Sequence, residues 1–105
     1  MSIRDDTVLS EEHVTNYIFK CISRSSPEQY YIFDNDDNCI AYIRVRWGYL
    51  RVYNVVNDEI CWDDSIFSTA ISRDGWRGDI PEKSKMHLLN CIAELLSHKI
   101  SYENF

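Results

Sequence analysis

Arginine and tyrosine residues recur at alternate positions in the middle of the chain, between Cys39 and Val56. Guanidinium groups bind phosphate and carboxylate through paired N–H donors, and tyrosine rings stack on bases and on guanidinium groups. These residue types are also enriched where proteins contact one another. The positions concerned, which we call the Arg/Tyr face, are Tyr42, Arg44, Arg46, Tyr49, Arg51 and Tyr53.

The same stretch predicts a β-hairpin that would hold this face in place. A two-residue loop at Trp47-Gly48, with Gly48 supplying the positive φ of a tight turn, places every arginine and tyrosine on one side. The other side is then apolar and consists of Ile43, Val45, Leu50 and Val52. Arg44 and Arg51 would face each other, which is unfavourable unless an anion, a carboxylate or a ring lies beside them.

A second candidate contact is Trp76-Arg77, which lies on a loop between Gly75 and Gly78. Tryptophan and arginine are the residue types that dominate binding hot spots. The alternative is that Trp76 folds back into the core, since large aromatic residues are mostly buried.

The acidic group, our name for Asp58, Glu59, Asp63 and Asp64, is either a solvated edge or a contact surface for a basic partner. Carboxylates can hold Mg²⁺ for phosphoryl transfer, but a nuclease spacing with a catalytic lysine is missing.

The four cysteines also lack metal-ligand spacing. His87 and Cys91 can touch at i, i+4, although we expect Cys91 to be buried and inert. We therefore predict no metal, no cofactor and no catalytic residue.

The overall charge limits the classes of partner. Seventeen acidic residues against eleven basic ones give a formal net charge of -6. This balance disfavours a long nucleic acid and favours a basic protein, while a small nucleotide stays possible. The sequence shows no secretory signal and no apolar run of membrane-spanning length, so we expect a cytoplasmic protein without membrane contact.

The pattern along the chain predicts one domain over residues 1–105, with a loose arm at residues 1–9. Apolar residues at helical spacing predict a first helix from Ser10 to Arg24, namely Val14, Tyr17, Ile18, Cys21 and Ile22. The first strand is predicted from Gln29, the hairpin supplies the second and third, and a fourth begins at Glu59. Residues 65–71 fit either a strand or a helical turn. Pro81 suits the start of a second helix. The fold class expected is α+β, a two-layer sandwich in which an antiparallel β-meander of about four strands has an N-terminal and a C-terminal helix packed on one face.

These observations lead to a functional expectation by elimination. We expect a non-enzymatic binding protein, a small acidic inhibitor or immunity-type protein that blocks a larger, basic partner. Small inhibitors of this kind, including those encoded by mobile elements, are similar in composition. The alternative is a module that sequesters a nucleotide or another phosphate-bearing molecule on the Arg/Tyr face, and self-association through that face is a further possibility.

Overall fold

An antiparallel meander of six strands precedes one helix in the part of the chain that the structure describes. The computed structural model describes residues 7–24, 27–73, 75 and 78–103. Each strand pairs with the next along the chain. The elements are β1 (Ser10–Val14), β2 (Tyr17–Arg24), β3 (Glu28–Phe33), β4 (Cys39–Arg46), β5 (Tyr49–Val56), β6 (Glu59–Ala70) and α1 (Glu82–Glu103).

The predicted N-terminal helix is wrong, because residues 10–24 form the β1–β2 hairpin. Val14 pairs with Tyr17 across a turn in which Thr15 has a φ of 53°. Along β2 the buried residues Tyr17, Phe19 and Cys21 follow a two-residue period, and Phe19, which a helix would have put on its polar side, is fully buried. Aromatic and β-branched residues in this stretch favour a strand. Of the predicted arm, residues 1–6 lie outside the described chain, and the Leu9 N–H donates to the Cys21 carbonyl at 2.7 Å.

Tight turns join the later strands and keep them adjacent. Asp34 holds the β3–β4 turn because its Oδ1 accepts the N–H groups of Asp36 at 3.0 Å and Asn38 at 2.9 Å. The β5–β6 turn uses Asn57 and Asp58, which both have positive φ. The predicted fourth strand is β6, and it continues to Ala70, so the residues left open between strand and helical turn belong to the sheet.

The main core lies between one face of the sheet and α1. The hairpin contributes Val45, Leu50 and their apolar neighbours, all fully buried as predicted. The helix contributes residues at i, i+3, i+4 and i+7, namely Leu89, Ile92, Ala93 and Leu96. The C-terminal helix of the predicted sandwich is therefore confirmed. No helix among the described residues combines the length and the apolar character needed to cross a membrane.

The opposite face of the sheet has a smaller core of its own. It is built from Tyr31, Phe33, Cys39, Tyr42 and Val55. This cluster covers the middle of the face that α1 leaves uncovered, so the Arg/Tyr face is only partly open to solvent.

Candidate functional site

The hairpin that positions the Arg/Tyr face has the predicted register. Arg44 pairs with Arg51, Tyr42 with Tyr53 and Arg46 with Tyr49. The turn between the strands has positive φ at both central positions, 58° at Trp47 and 76° at Gly48. Two such residues match the right-handed twist of the strands, so this turn fixes which side each residue takes.

Burial divides the Arg/Tyr face into two parts. Arg46, Tyr49 and Arg51 are exposed, whereas Arg44 and Tyr53 are half-buried. Tyr42 is buried, and its hydroxyl donates a hydrogen bond to Oε1 of Gln29. Tyr42 therefore belongs to the smaller core and is not available to stack on a ligand.

An open groove at the Trp47-Gly48 end of the hairpin collects the arginines. Its volume is about 180 Å³, and its lining is Arg44, Arg46, Trp47, Tyr49, Arg51 and Tyr53. We call it the arginine groove. The guanidinium carbon of Arg51 lies 5.6 Å from the centre of the Tyr49 ring, and that of Arg46 lies 5.3 Å from the Trp47 ring. A ring therefore lies beside one member of the facing pair, Arg51, and another beside the neighbouring Arg46.

Arg44 differs from the other two arginines. Its Nε is enclosed and has no hydrogen-bond partner within the described chain. None of the ion pairs found among the described residues includes an arginine of the groove. The groove is therefore a concentration of positive charge, and no carboxylate of the described residues forms an ion pair with it.

Trp62 is a surface residue that the sequence reasoning did not single out. Its ring packs edge-on against Tyr53, with centroids 5.2 Å apart, and against Tyr42 at 5.7 Å. Trp62 is nevertheless 55% exposed. Continuing the alternation from Ile60, which packs on the same small core, would have placed Trp62 on this face.

All four members of the acidic group are exposed on the β5–β6 hairpin. Asp58 and Glu59 lie at its turn, at the opposite end of β5 from the arginine groove. Asp64 accepts a hydrogen bond from Asn54 Nδ2 at 3.1 Å. The sheet is consequently basic at one end and acidic at the other. The predicted Trp76-Arg77 contact lies outside the described residues.

A buried carboxylate, also missed from sequence, anchors the chain before α1. Glu28 is 2% exposed, and its Oε1 accepts the N–H of Ile80 at 2.8 Å. Its Oε2 accepts the Tyr30 hydroxyl and lies 3.4 Å from Lys85 Nζ. Burial, followed by the hydrogen bond to Glu28, raises the pKa of Tyr30 above its ordinary value. Partial burial lowers the pKa of Lys85, but the carboxylates of Glu28 and Glu82 outweigh it, so that the pKa is raised.

One cysteine of the described chain lies in contact with a histidine. All four cysteines are free. Cys91 is half-buried rather than buried as expected, because it lies beside the row of α1 residues that enters the core. Its Sγ is 3.6 Å from His87 Nε2, as the i, i+4 spacing predicts. Among the described residues there is no group of three histidine, cysteine or acidic side chains able to hold a metal ion.

The described chain is an α+β protein in which one C-terminal helix packs on a six-strand antiparallel meander. The other face of the sheet is partly open. Comparison of the chain with protein-family models, with curated proteins and with solved structures finds no match.

Proposed function

We propose that this protein is a non-enzymatic binding protein of the inhibitor or immunity type, which blocks a larger, basic partner protein. The supporting observation is that Trp62, which is 55% exposed, is followed along β6 by two exposed acidic residues, Asp63 and Asp64. Protein interfaces commonly centre on an aromatic residue within a polar rim. A rim of carboxylates selects a partner whose own rim is cationic.

The layout of the sheet favours blocking over catalysis. The helix covers one face, so the other face can lie against a partner across several strands. A rigid sheet loses little conformational freedom when it binds, which favours tight occlusion.

The aromatic part of the proposed interface is tested with a matched pair of variants. Protein purified from its native host is analysed by native mass spectrometry, and we expect a complex with a second, basic protein. Trp62→Ala should weaken that complex at least tenfold, whereas Met86→Ala, which removes a 46% exposed side chain from α1, should leave it unchanged. Equal affinities for the two variants, or the absence of a protein partner, would overturn the proposal.

The acidic part is tested through association kinetics. The double variant Asp63→Asn with Asp64→Asn should slow association with the purified partner and reduce its dependence on salt. The control, Glu12→Gln with Glu94→Gln, removes the same charge from exposed positions on β1 and α1. If both pairs slow association equally, the effect comes from net charge and the acidic group is not the contact.

Self-association is a second candidate, favoured by the separation of charge along β5. Two copies stacked about a two-fold axis would place the arginine groove of each opposite the Asp58 turn of the other. A mass of two chains in the same native spectrum, lost on Arg51→Glu, would support this arrangement over a second protein.

A further inference from the structure

The arginine groove contains positive charge that the described residues do not compensate. Arg44 and Arg51 are directly paired in the sheet, and Arg46 lies at the next exposed position on the same side. A buried donor left without an acceptor is unfavourable, and Nε of Arg44 is in that position within the described chain. Ring contacts to Arg46 and Arg51 reduce the repulsion but supply no negative charge.

We propose that the arginine groove binds the phosphate group of a small molecule. Guanidinium charge is delocalised, so an anion in the groove compensates Arg44 as a whole even though its Nε stays enclosed. A phosphate carries up to two charges and several acceptor oxygens, and it can therefore accept from more than one arginine. This site lies at the other end of β5 from the acidic group, so it does not depend on the proposed function.

The size of the groove limits what else of the ligand is enclosed. Sites for drug-sized ligands usually measure about 300–1,000 Å³, and the groove, at about 180 Å³, is smaller. It accommodates a phosphate group, while the remainder of the molecule lies over the rim. The rim offers the exposed rings of Trp47 and Tyr49, whereas Tyr42 is buried and Tyr53 already packs against Trp62.

The net negative charge of the chain does not prevent anion binding here. At about 3.3 Å per residue, the length of β5 places the Asp58 turn roughly 20 Å from Arg51. The Debye length at physiological salt is about 8 Å, so the acidic turn is largely screened at the groove. The nearest acidic-group member in the sheet register, Asp64, is hydrogen bonded to Asn54.

Isothermal titration calorimetry tests the proposal with three probes: inorganic phosphate, adenosine monophosphate and adenosine. We expect the first two to bind and adenosine to show no heat. Arg44→Gln and Arg51→Gln should each weaken phosphate binding at least tenfold. Arg24→Gln removes the same charge from an exposed position on β2 and should leave the affinity unchanged. Circular dichroism confirms that each variant is folded.

The outcomes separate the two sources of phosphate and can overturn the site. Adenosine monophosphate binding at least tenfold tighter than inorganic phosphate identifies a nucleotide whose base contacts Trp47 or Tyr49, and Trp47→Ala should then remove the difference. Equal affinities identify the phosphate group alone as the ligand. The proposal fails if neither anion binds at millimolar concentration, if adenosine binds as well as its phosphate, or if Arg24→Gln weakens binding as much as Arg44→Gln.

Discussion

Replacing Glu28 with glutamine is expected to lower the free energy of unfolding by about 2 kcal/mol, because one carboxylate serves three donors. It accepts the N–H of Ile80 at 2.8 Å and the hydroxyl of Tyr30, and it lies 3.4 Å from Lys85 Nζ. Glutamine keeps the shape but offers one acceptor oxygen, and its amide N–H groups would face at least one of the same donors. A lost hydrogen bond to a charged group costs about 1.5–3 kcal/mol.

The exposure of Lys85 decides how much free energy of unfolding Glu28→Gln loses. Removing one partner of a fully buried ion pair costs about 3–5 kcal/mol. Lys85 is 28% exposed, so water can hydrate part of its charge in the variant, and the loss should be smaller. The structural consequence would be a weaker attachment of the Ile80 segment, and of the start of α1 beyond it, to β3.

Urea unfolding with a matched control measures this prediction. Glu82→Gln removes the other carboxylate beside Lys85, but that side chain is 88% exposed and should change stability by less than about 0.5 kcal/mol. For a domain of this size, about 2 kcal/mol corresponds to a decrease of roughly 8–16 °C in Tm. If Glu28→Gln unfolds at the same urea concentration as Glu82→Gln, the buried carboxylate does not anchor the fold and the reasoning is refuted.

Three further predictions address the pH dependence, the turn and the core. The pKa of Tyr30 is raised in the folded protein, so as pH rises above the ordinary value of 10.0 the tyrosine loses its proton first in the unfolded chain, and the free energy of unfolding should fall. Urea titrations at about pH 9 and pH 11 should show a smaller fall for Tyr30→Phe than for the unchanged protein, and an equal fall would contradict this linkage. Gly48→Ala should lower the free energy of unfolding by about 1–2 kcal/mol, because Gly48 has a φ of 76°. Gly75→Ala, whose new Cβ meets nothing within 4 Å, should leave it unchanged, and the denaturant midpoints of the two variants test the difference. Leu50→Ala should cost about 2–5 kcal/mol at a fully buried position, and a thermal melt like that of Val56→Ala, a 49% exposed position, would be inconsistent with the sheet–helix core.

The sequence predicts the central hairpin well because two independent signals agree. Strict alternation sorts the side chains, and Gly48 marks the only turn that keeps the sorting intact. The N-terminal hairpin was missed because Val14, Tyr17 and Cys21 satisfy a helical period and a strand hairpin alike. Phe19 separates the two cases, since it is buried only in the strand.

Burial within the Arg/Tyr face could not be predicted from the hairpin alone. Alternation tells which side Tyr42 takes but not what else lies there. Tyr31 from β3 and Trp62 from β6 pack against its ring, with centroids 5.5 Å and 5.7 Å away. Those contacts depend on the pairing of three separate hairpins, which local patterns do not determine.

The separation of charge explains how an acidic chain can present a basic binding groove. Net charge describes the field at distances beyond the size of the molecule, whereas a ligand in contact responds to groups within about one Debye length. The acidic turn at Asp58 and the guanidinium of Arg51 lie at opposite ends of β5, so each end attracts its own kind of partner. Lowering the salt concentration lengthens the Debye length to about 30 Å at 0.01 M, and the two ends then act on each other. An anion bound in the groove cancels positive charge there and so strengthens the attraction of the acidic end for a basic partner. Phosphate binding at the groove and association at the acidic group should therefore favour one another at low salt and become independent at physiological salt.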